Sequence, residues 1–332
     1  MFRRPVLEVT MHTESKKKLR LIKNYFLLLL FPVVFLIALF ILYTKNISKA
    51  VTVIGSGATF PYPFYQSAIN EYNAQSKTEI SYTPLGSTGG MRQLLQNNVA
   101  FAGSDALYTD SELESMGLRG RELIWIPTCV GSVVIAYNLP GNPVIKLTGE
   151  IISDMYLGKI KKWNDARLLK INPSAELPDK LIIPFRRQDG SGTTFIFTDY
   201  LSKVSPAWKN TIGTGSEIKW PVGTGVKGNG GVADSIKVHS YSLGYINGNY
   251  AIEHGLRTAE IMNKSGNYIS PDIENVTLAA AQLPDDNLCS LLNNTAHSGG
   301  YPIASFTWIV FFKQQKFNGQ TIGDAHALFS FF

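Results

Sequence analysis

From residue 51 onward the chain alternates short apolar runs, Gly/Ser/Thr-rich breaks and stretches of helical periodicity, the pattern of strand, loop and helix units in an α/β protein. Three of these junctions stand out. Residues 51–54 lead through Gly55-Ser56-Gly57-Ala58-Thr59-Phe60 into an amphipathic stretch ending near Gln75. Residues 79–83 lead through Gly86-Ser87-Thr88-Gly89-Gly90 into a helical segment over 91–96. Residues 181–185 lead through Asp189-Gly190-Ser191-Gly192-Thr193 into a helix over 194–201, with Phe195, Phe197 and Leu201 as its predicted core face. A helix start leaves backbone N–H groups unpaired and carries partial positive charge, and glycine lets that backbone approach a ligand closely. Any one such turn is better explained by ordinary helix capping. Three of the same character point to one tetrahedral oxyanion, whose lone pairs can satisfy several converging helix starts.

At 332 residues, 45% hydrophobic and 17% charged, the chain can bury the cores of two lobes of ordinary size. The formal charge of +6 raises the question of a nucleic-acid partner. Its distribution removes that partner: residues 1–50 hold nine Lys and Arg against Glu8 and Glu14, or +7, which leaves −1 for the remainder. Within those fifty residues a cationic stretch over 16–23 precedes an uncharged apolar run over 25–43, which predicts an export signal. Ser48-Lys49-Ala50 fits signal-peptidase cleavage after Ala50. The apolar run exceeds the usual ~15-residue limit, so a retained membrane anchor is the alternative. The only cysteines are Cys129 and Cys289, so no lipid-anchor cysteine follows the apolar run, and two free thiols are a simpler expectation than one long-range bridge.

The third junction places Arg186, Arg187, Asp189, Ser191 and Thr193 within a few residues. The planar guanidinium suits a tetrahedral oxyanion because it donates two parallel hydrogen bonds and stays charged, and Asp189 can pin it. A surface Arg–Asp pair of little energetic weight is the competing explanation. Ser104-Asp105-Ala106 follows the apolar run over 99–103 and sets a second carboxylate at a strand end. A carboxylate repels an anion unless the anion carries a proton. Hydrogen phosphate can donate that proton, whereas fully ionised sulfate would leave Asp105 desolvated and unpaired.

These motifs together resemble the periplasmic phosphate-binding protein family of the bacterial high-affinity phosphate ABC transporter, over roughly residues 53–312. The resemblance also takes in Tyr156-Leu157-Gly158-Lys159-Ile160-Lys161-Lys162-Trp163, Gly213-Thr214-Gly215-Ser216 and Lys219-Trp220-Pro221. It implies a type II periplasmic-binding-protein fold, two α/β lobes joined by hinge strands and closing on the ligand. Lobe I would comprise residues 51–128 and 301–332, and lobe II residues 129–300. Phosphate would be held by Thr59, Phe60, Ser87, Asp105, Arg187, Ser191, Gly192 and Thr193, with Asp189 holding Arg187 from behind. The expected partners are inorganic phosphate and an inner-membrane ABC permease; the protein would be a periplasmic monomer with no cofactor. Two departures stand out. The chain ends at Phe332, sooner than the family pattern, which predicts reduced packing in lobe I, and the leader is long, with Met11 a second candidate start.

Other classes fit less well. Gly223-Thr224-Gly225-Val226-Lys227-Gly228 matches the dinucleotide pattern G-x-G-x-x-G, yet the stretch about 20 positions on, near Asn247 and Asn249, supplies no acidic residue until Glu253, so loop geometry explains these glycines better. A phosphate-ester hydrolase acting through Ser191 or Ser87 would need an adjacent base or a metal. The five histidines, His12, His239, His254, His297 and His326, are scattered without ligand spacing. A membrane-anchored phosphate sensor differs from a transport protein mainly in the anchor.

Overall fold

The computed structural model describes residues 32, 35–37, 39, 52–118, 120–281, 291–315 and 322–331. Met1–Ala50 forms a unit of its own, whose five described residues are helical and exposed. Among the described residues no helix is long and apolar enough to cross a membrane. The predicted export signal, its cleavage site, and Cys289 with any bridge to Cys129 lie outside the described residues.

In Val51–Phe332 the alternating pattern becomes β1 (Thr52–Gly57), α1 (Tyr62–Gln75), β2 (Glu79–Pro84), α2 (Ser87–Leu95), β3 (Phe101–Ser104), α3 (Asp110–Ser115), β4 (Leu123–Asn138), β5 (Lys146–Leu147), α4 (Gly149–Tyr156) and α5 (Ala166–Ile171). It continues through β6 (Ile183–Arg187), α6 (Gly192–Val204), α7 (Pro206–Thr211), β7 (Thr224–Val226), α8 (Gly228–Val238), β8 (Ser242–Asn247) and α9 (Gly248–His254). The last elements are β9 (Arg257–Thr258), β10 (Glu260–Met262), β11 (Tyr268–Ile269), α10 (Ile273–Ala280), β12 (Ala304–Phe312) and α11 (Ile322–Phe331).

One mixed sheet runs β2-β1-β3-β12-β4-β8-β6-β7, with β9 added to β4. Its outer groups are parallel, β2 and β3 beside β1 and β7 and β8 beside β6, because each adjacent pair is joined or covered by helices that bury its faces. Its middle is antiparallel and built on one long strand. The first part of β4 pairs with β12 and its last six residues pair with β8, so β4 belongs to both halves. Between them the ladder slips: Cys129 faces Thr307 while Pro127 faces Trp308. Thr128 is therefore the extra residue of a bulge, beside a proline that could not donate to the ladder in any case.

The buried apolar side chains divide in the same way. Val53, Ile69, Ile80, Phe101, Ile309 and Phe311 form one cluster and Met91, Leu94, Trp308 and Val310 another, on the β1–β3 half. The largest cluster fills the β8–β6 half and runs from Val133 to Ala304, with one visitor, Phe60. Near the end of the chain α11 buries Ala327 and Leu328 in the β1–β3 core and sets Phe331 edge-on to Tyr72. In α6 the predicted core face needs correction. Ile196, Phe197, Tyr200 and Leu201 are the buried set, a true i, i+1, i+4, i+5 stripe, while Phe195 is only half-buried.

Candidate functional site

All three junctions become strand-to-helix turns, and their ends meet. The glycines are needed for the approach of one half to the other. Gly86 has φ +85°, and a Cβ there would come within 2.5 Å of the Asp189 carboxylate. A Cβ on Gly192 would stand 2.4 Å from Ser87 Oγ and 2.6 Å from Asp105 Oδ2. Only backbone can pass at these distances.

The starts of α1, α2 and α8 carry no side-chain cap. Ser191 does cap α6, accepting from the Thr194 amide at 3.1 Å, so ordinary capping accounts for part of that motif. Ser191, Gly192 and Thr193 are nevertheless wholly buried at the turn.

Ser87 stands at the first focus. Its Oγ accepts from the Asp105 amide at 3.2 Å and from the Gly192 amide at 3.1 Å, across the two halves. With both lone pairs used, the hydroxyl can only donate, and it does so to Asp105 Oδ2 at 3.4 Å. The other carboxylate oxygen, Oδ1, accepts from Thr307 Oγ1 at 2.8 Å. Asp105 is 1% exposed. Burial pushes its pKa up to about 7, against the opposing pull of Thr307, the Arg187 charge and Ser87.

Arg187 stands at the second focus. Its Nε donates to Asp189 Oδ1 at 2.7 Å and its Nη2 to Oδ2, a side-on fork, while Nη1 reaches Thr193 Oγ1 at 3.4 Å. The pair is not a surface ion pair: the side chains are 1% and 12% exposed. Burial alone would raise the Asp189 pKa, but the hydrogen bond and charge of Arg187 and the Gly228 amide bring it below the usual carboxylate range. Arg186 turns elsewhere, donating to the carbonyls of Gly223 and Arg187.

Thr59 joins this second focus from the other half. Its Oγ1 accepts from Asn229 Nδ2 at 2.9 Å, and the same nitrogen donates to Thr193 Oγ1 at 3.1 Å. Phe60 anchors the turn by seating its ring, 1% exposed, in the β8–β6 core. A cavity of about 700 Å³ borders the Thr59 edge, lined in part by Tyr62, Lys227, Gly228, Tyr250 and Glu253.

The other motifs support rather than surround these foci. Tyr156 and Trp163 are buried and donate to the carbonyls of Phe185 and Tyr241. The Ser216 carbonyl receives the Ser191 amide at 3.0 Å. Trp220 stacks on Tyr245, whose hydroxyl receives the Arg187 amide at 3.1 Å. Sequence reasoning missed Asn229 and Thr307. The glycines of 223–228 are not a free loop but a fourth strand-to-helix junction, from β7 into α8, and Asn229 follows directly. Thr307 is one of two hydroxyls, with Ser305, in the largely apolar run of β12, and nothing local singles it out.

Cys129 is half-buried, and its thiol pKa is pushed up to about 11 by burial and by the nearby Asp105. Among the described residues no group of three or more His, Cys, Asp or Glu could hold a metal ion.

Two sheet halves sharing β4, with hydroxyls, amides and one guanidinium gathered where their turns meet, define a solute-binding clamp built for an oxyanion. Residues 44–332 match the PBP superfamily domain. The chain is 38% identical over 274 residues to the phosphate-binding protein PstS of Pasteurella multocida, covering 81% of this chain and 78% of that one. It belongs to the PstS phosphate-binding protein family. The fold is similar to that of a phosphate-binding protein from Stenotrophomonas maltophilia, at TM-score 0.58 and 24% identity over 80% of this chain and 79% of that one. An ABC-type phosphate transport receptor from Vibrio cholerae matches at TM-score 0.53 and 17% identity over 84% and 92%.

Proposed function

We propose that this chain binds inorganic phosphate, as hydrogen or dihydrogen phosphate, between residues 51–128 with 301–332 and residues 129–300, and delivers it to an ABC permease. The single observation that carries this reading is the mixed polarity of the buried cluster. Hydroxyls and amides placed to donate surround one guanidinium held by Asp189, and Asp105 is the one carboxylate there without a cation as direct hydrogen-bond partner, free to accept a proton. A ligand rich in acceptor oxygens and carrying a proton satisfies that set; a fully ionised sulfate does not.

In this reading Thr59, Phe60, Ser87, Ser191, Gly192 and Thr193 supply neutral donors. Arg187, oriented by Asp189, supplies the charge, and Asp105 takes the ligand's proton. The two lobes swing about β4 and β12, where the Thr128 bulge interrupts the ladder, and closure carries Gly192 toward Ser87, with the amide that donates to Ser87 Oγ in this structure turning to the phosphate when it is bound. The protein acts as a binder without turnover: no histidine is a hydrogen-bond partner of Ser87 or Ser191, and the one carboxylate that Ser87 meets, Asp105 at 3.4 Å, is the group that takes the ligand's proton. Export by the segment ending at Ala50 delivers it to the periplasm, where it works as a monomer. Calorimetric titration with phosphate, arsenate and sulfate tests this directly. The expected result is one-to-one saturation by phosphate and arsenate, little heat with sulfate, and no turnover of a chromogenic phosphate ester. Absence of phosphate binding, or steady ester turnover lost in Ser191→Ala, would reverse the reading.

A further inference from the structure

The side chain of Asn229 touches both hydroxyl groups at the second focus, and its own orientation is fixed by chemistry. The amide N–H of Asn247 can only donate, and it points at Asn229 across 3.1 Å. The atom it meets must be the oxygen Oδ1, which leaves Nδ2 facing Thr59 Oγ1 and Thr193 Oγ1. Each proton of Nδ2 is then committed to one threonine.

The consequence for the threonines follows from counting lone pairs. Thr59 Oγ1 accepts from Nδ2 at 2.9 Å and also from the Asn229 backbone N–H at 3.3 Å. Thr193 Oγ1 accepts from Nδ2 at 3.1 Å and from Arg187 Nη1 at 3.4 Å. A hydroxyl has two lone pairs and one proton. With both lone pairs occupied, each threonine has only its O–H left to offer. Asn229 and Thr193 are wholly buried.

We infer that Asn229 is a positioning residue that fixes the donor polarity of Thr59 and Thr193, so that both hydroxyls present protons to a bound oxyanion. The inference rests on the phosphate reading of this site. Without the Asn229 amide, either hydroxyl could rotate and present a lone pair to the anion, and the two would have to be reoriented on binding. Because Thr59 and Asn229 come from opposite halves of the sheet, the same amide also ties donor orientation to closure. Asn229 touches no ligand in this scheme; it acts only through the threonines.

That last point makes the idea testable by a double-mutant cycle on phosphate affinity. Asn229→Ala in the otherwise native chain should weaken phosphate binding roughly 10- to 100-fold, the range of one or two lost buried hydrogen bonds. In a Thr59→Val, Thr193→Val background the same substitution should cost less than about threefold, because the hydroxyls it orients are gone. Equal losses in both backgrounds would mean a general structural role and overturn the inference. Asn229→Asp guards against a folding defect: it keeps an oxygen for the Asn247 amide but has no protons to give. It should bind at least as poorly as the alanine variant, and wild-type affinity in it would also overturn the inference. If the unsubstituted protein takes up no phosphate, the phosphate reading falls as well; if it binds and the cycle is additive, only the role of Asn229 falls.

Discussion

The two foci of the site are built on opposite electrostatic plans. At Arg187 the charges are locked: a buried guanidinium is held side-on by Asp189, which the pairing keeps ionised. At Asp105 the charge is negotiable. That carboxylate is as deeply buried, yet it has only the neutral hydroxyls of Ser87 and Thr307 as direct partners, and burial lifts its pKa to about 7. The comparison separates two tasks that a single cluster of cations would confuse. A fixed cation attracts every oxyanion. A carboxylate poised near neutrality distinguishes those that carry a proton from those that do not.

The largest expected effect breaks the locked focus. Arg187→Met should remove the only formal charge among the donors and leave Asp189 buried without its partner. Breaking such a pair from one side costs about 3–5 kcal/mol, so phosphate affinity should fall about a thousandfold or more and the melting temperature should drop. Adding Asp189→Asn should recover much of the stability but none of the affinity. Recovery of both would show that Arg187 has a structural role alone. Calorimetry and thermal melting on the two variants separate these results.

Asp105→Asn sharpens the other side. The Asn side chain can donate to an anion that has no proton, so sulfate should gain while phosphate loses a favourable acceptor. Leaving a buried polar group unsatisfied costs about 1–3 kcal/mol, and the preference for phosphate over sulfate should narrow by about a hundredfold, more than phosphate affinity itself changes. An unchanged ratio in competitive titration would remove Asp105 from selectivity.

Gly192→Ala tests the contact between the foci without altering any charge. The added Cβ would lie 2.4 Å from Ser87 Oγ and 2.6 Å from Asp105 Oδ2, so the halves could not approach as they do. Overpacking of this kind costs about 1–3 kcal/mol. Because the clash arises between the halves, phosphate affinity should fall roughly tenfold or more while the melting temperature of the unliganded protein changes little. A large loss of stability with intact affinity would contradict closure at this point.

Much of this arrangement was legible in the chain because strand-to-helix turns are local. The three junctions around Gly57, Gly86 and Gly190 announce themselves within a few residues, and each falls within a few residues of where the spacing puts it, although α2 already begins at Ser87 and takes in the glycines read as loop. Asn229 and Thr307 were not legible for the opposite reason. Their importance comes from tertiary pairing, across 170 residues to Thr59 and across 202 to Asp105, and nothing in their local sequence encodes those partners. The core face of α6 was misjudged on a smaller scale. Phe195 and Phe197 cannot share one helical stripe, and the weaker-looking Ile196 and Tyr200 complete the one that packs.

The smallest effect is the pH dependence of folding, and its sign discriminates between the foci. Asp105 has a pKa of about 7 in the folded chain against 3.8 for an ordinary aspartate. Between these values the folded state holds a proton that the unfolded state has released. Stability therefore declines as pH rises through that window, and the decline ends once pH passes about 7. From pH 6 to pH 8 the linkage amounts to about 1 kcal/mol for a single such group. Asp189, with its pKa lowered, acts in the opposite direction and only in acid, since its contribution is present above the unfolded pKa and is lost as pH falls through the folded one. The phosphate-free protein should accordingly melt higher at pH 6 than at pH 8, and Asp105→Asn should flatten that slope while Asp189→Asn leaves it in place. A slope that survives Asp105→Asn would assign the titration to another group, and the negotiable charge would then have to be sought away from Ser87 and Thr307.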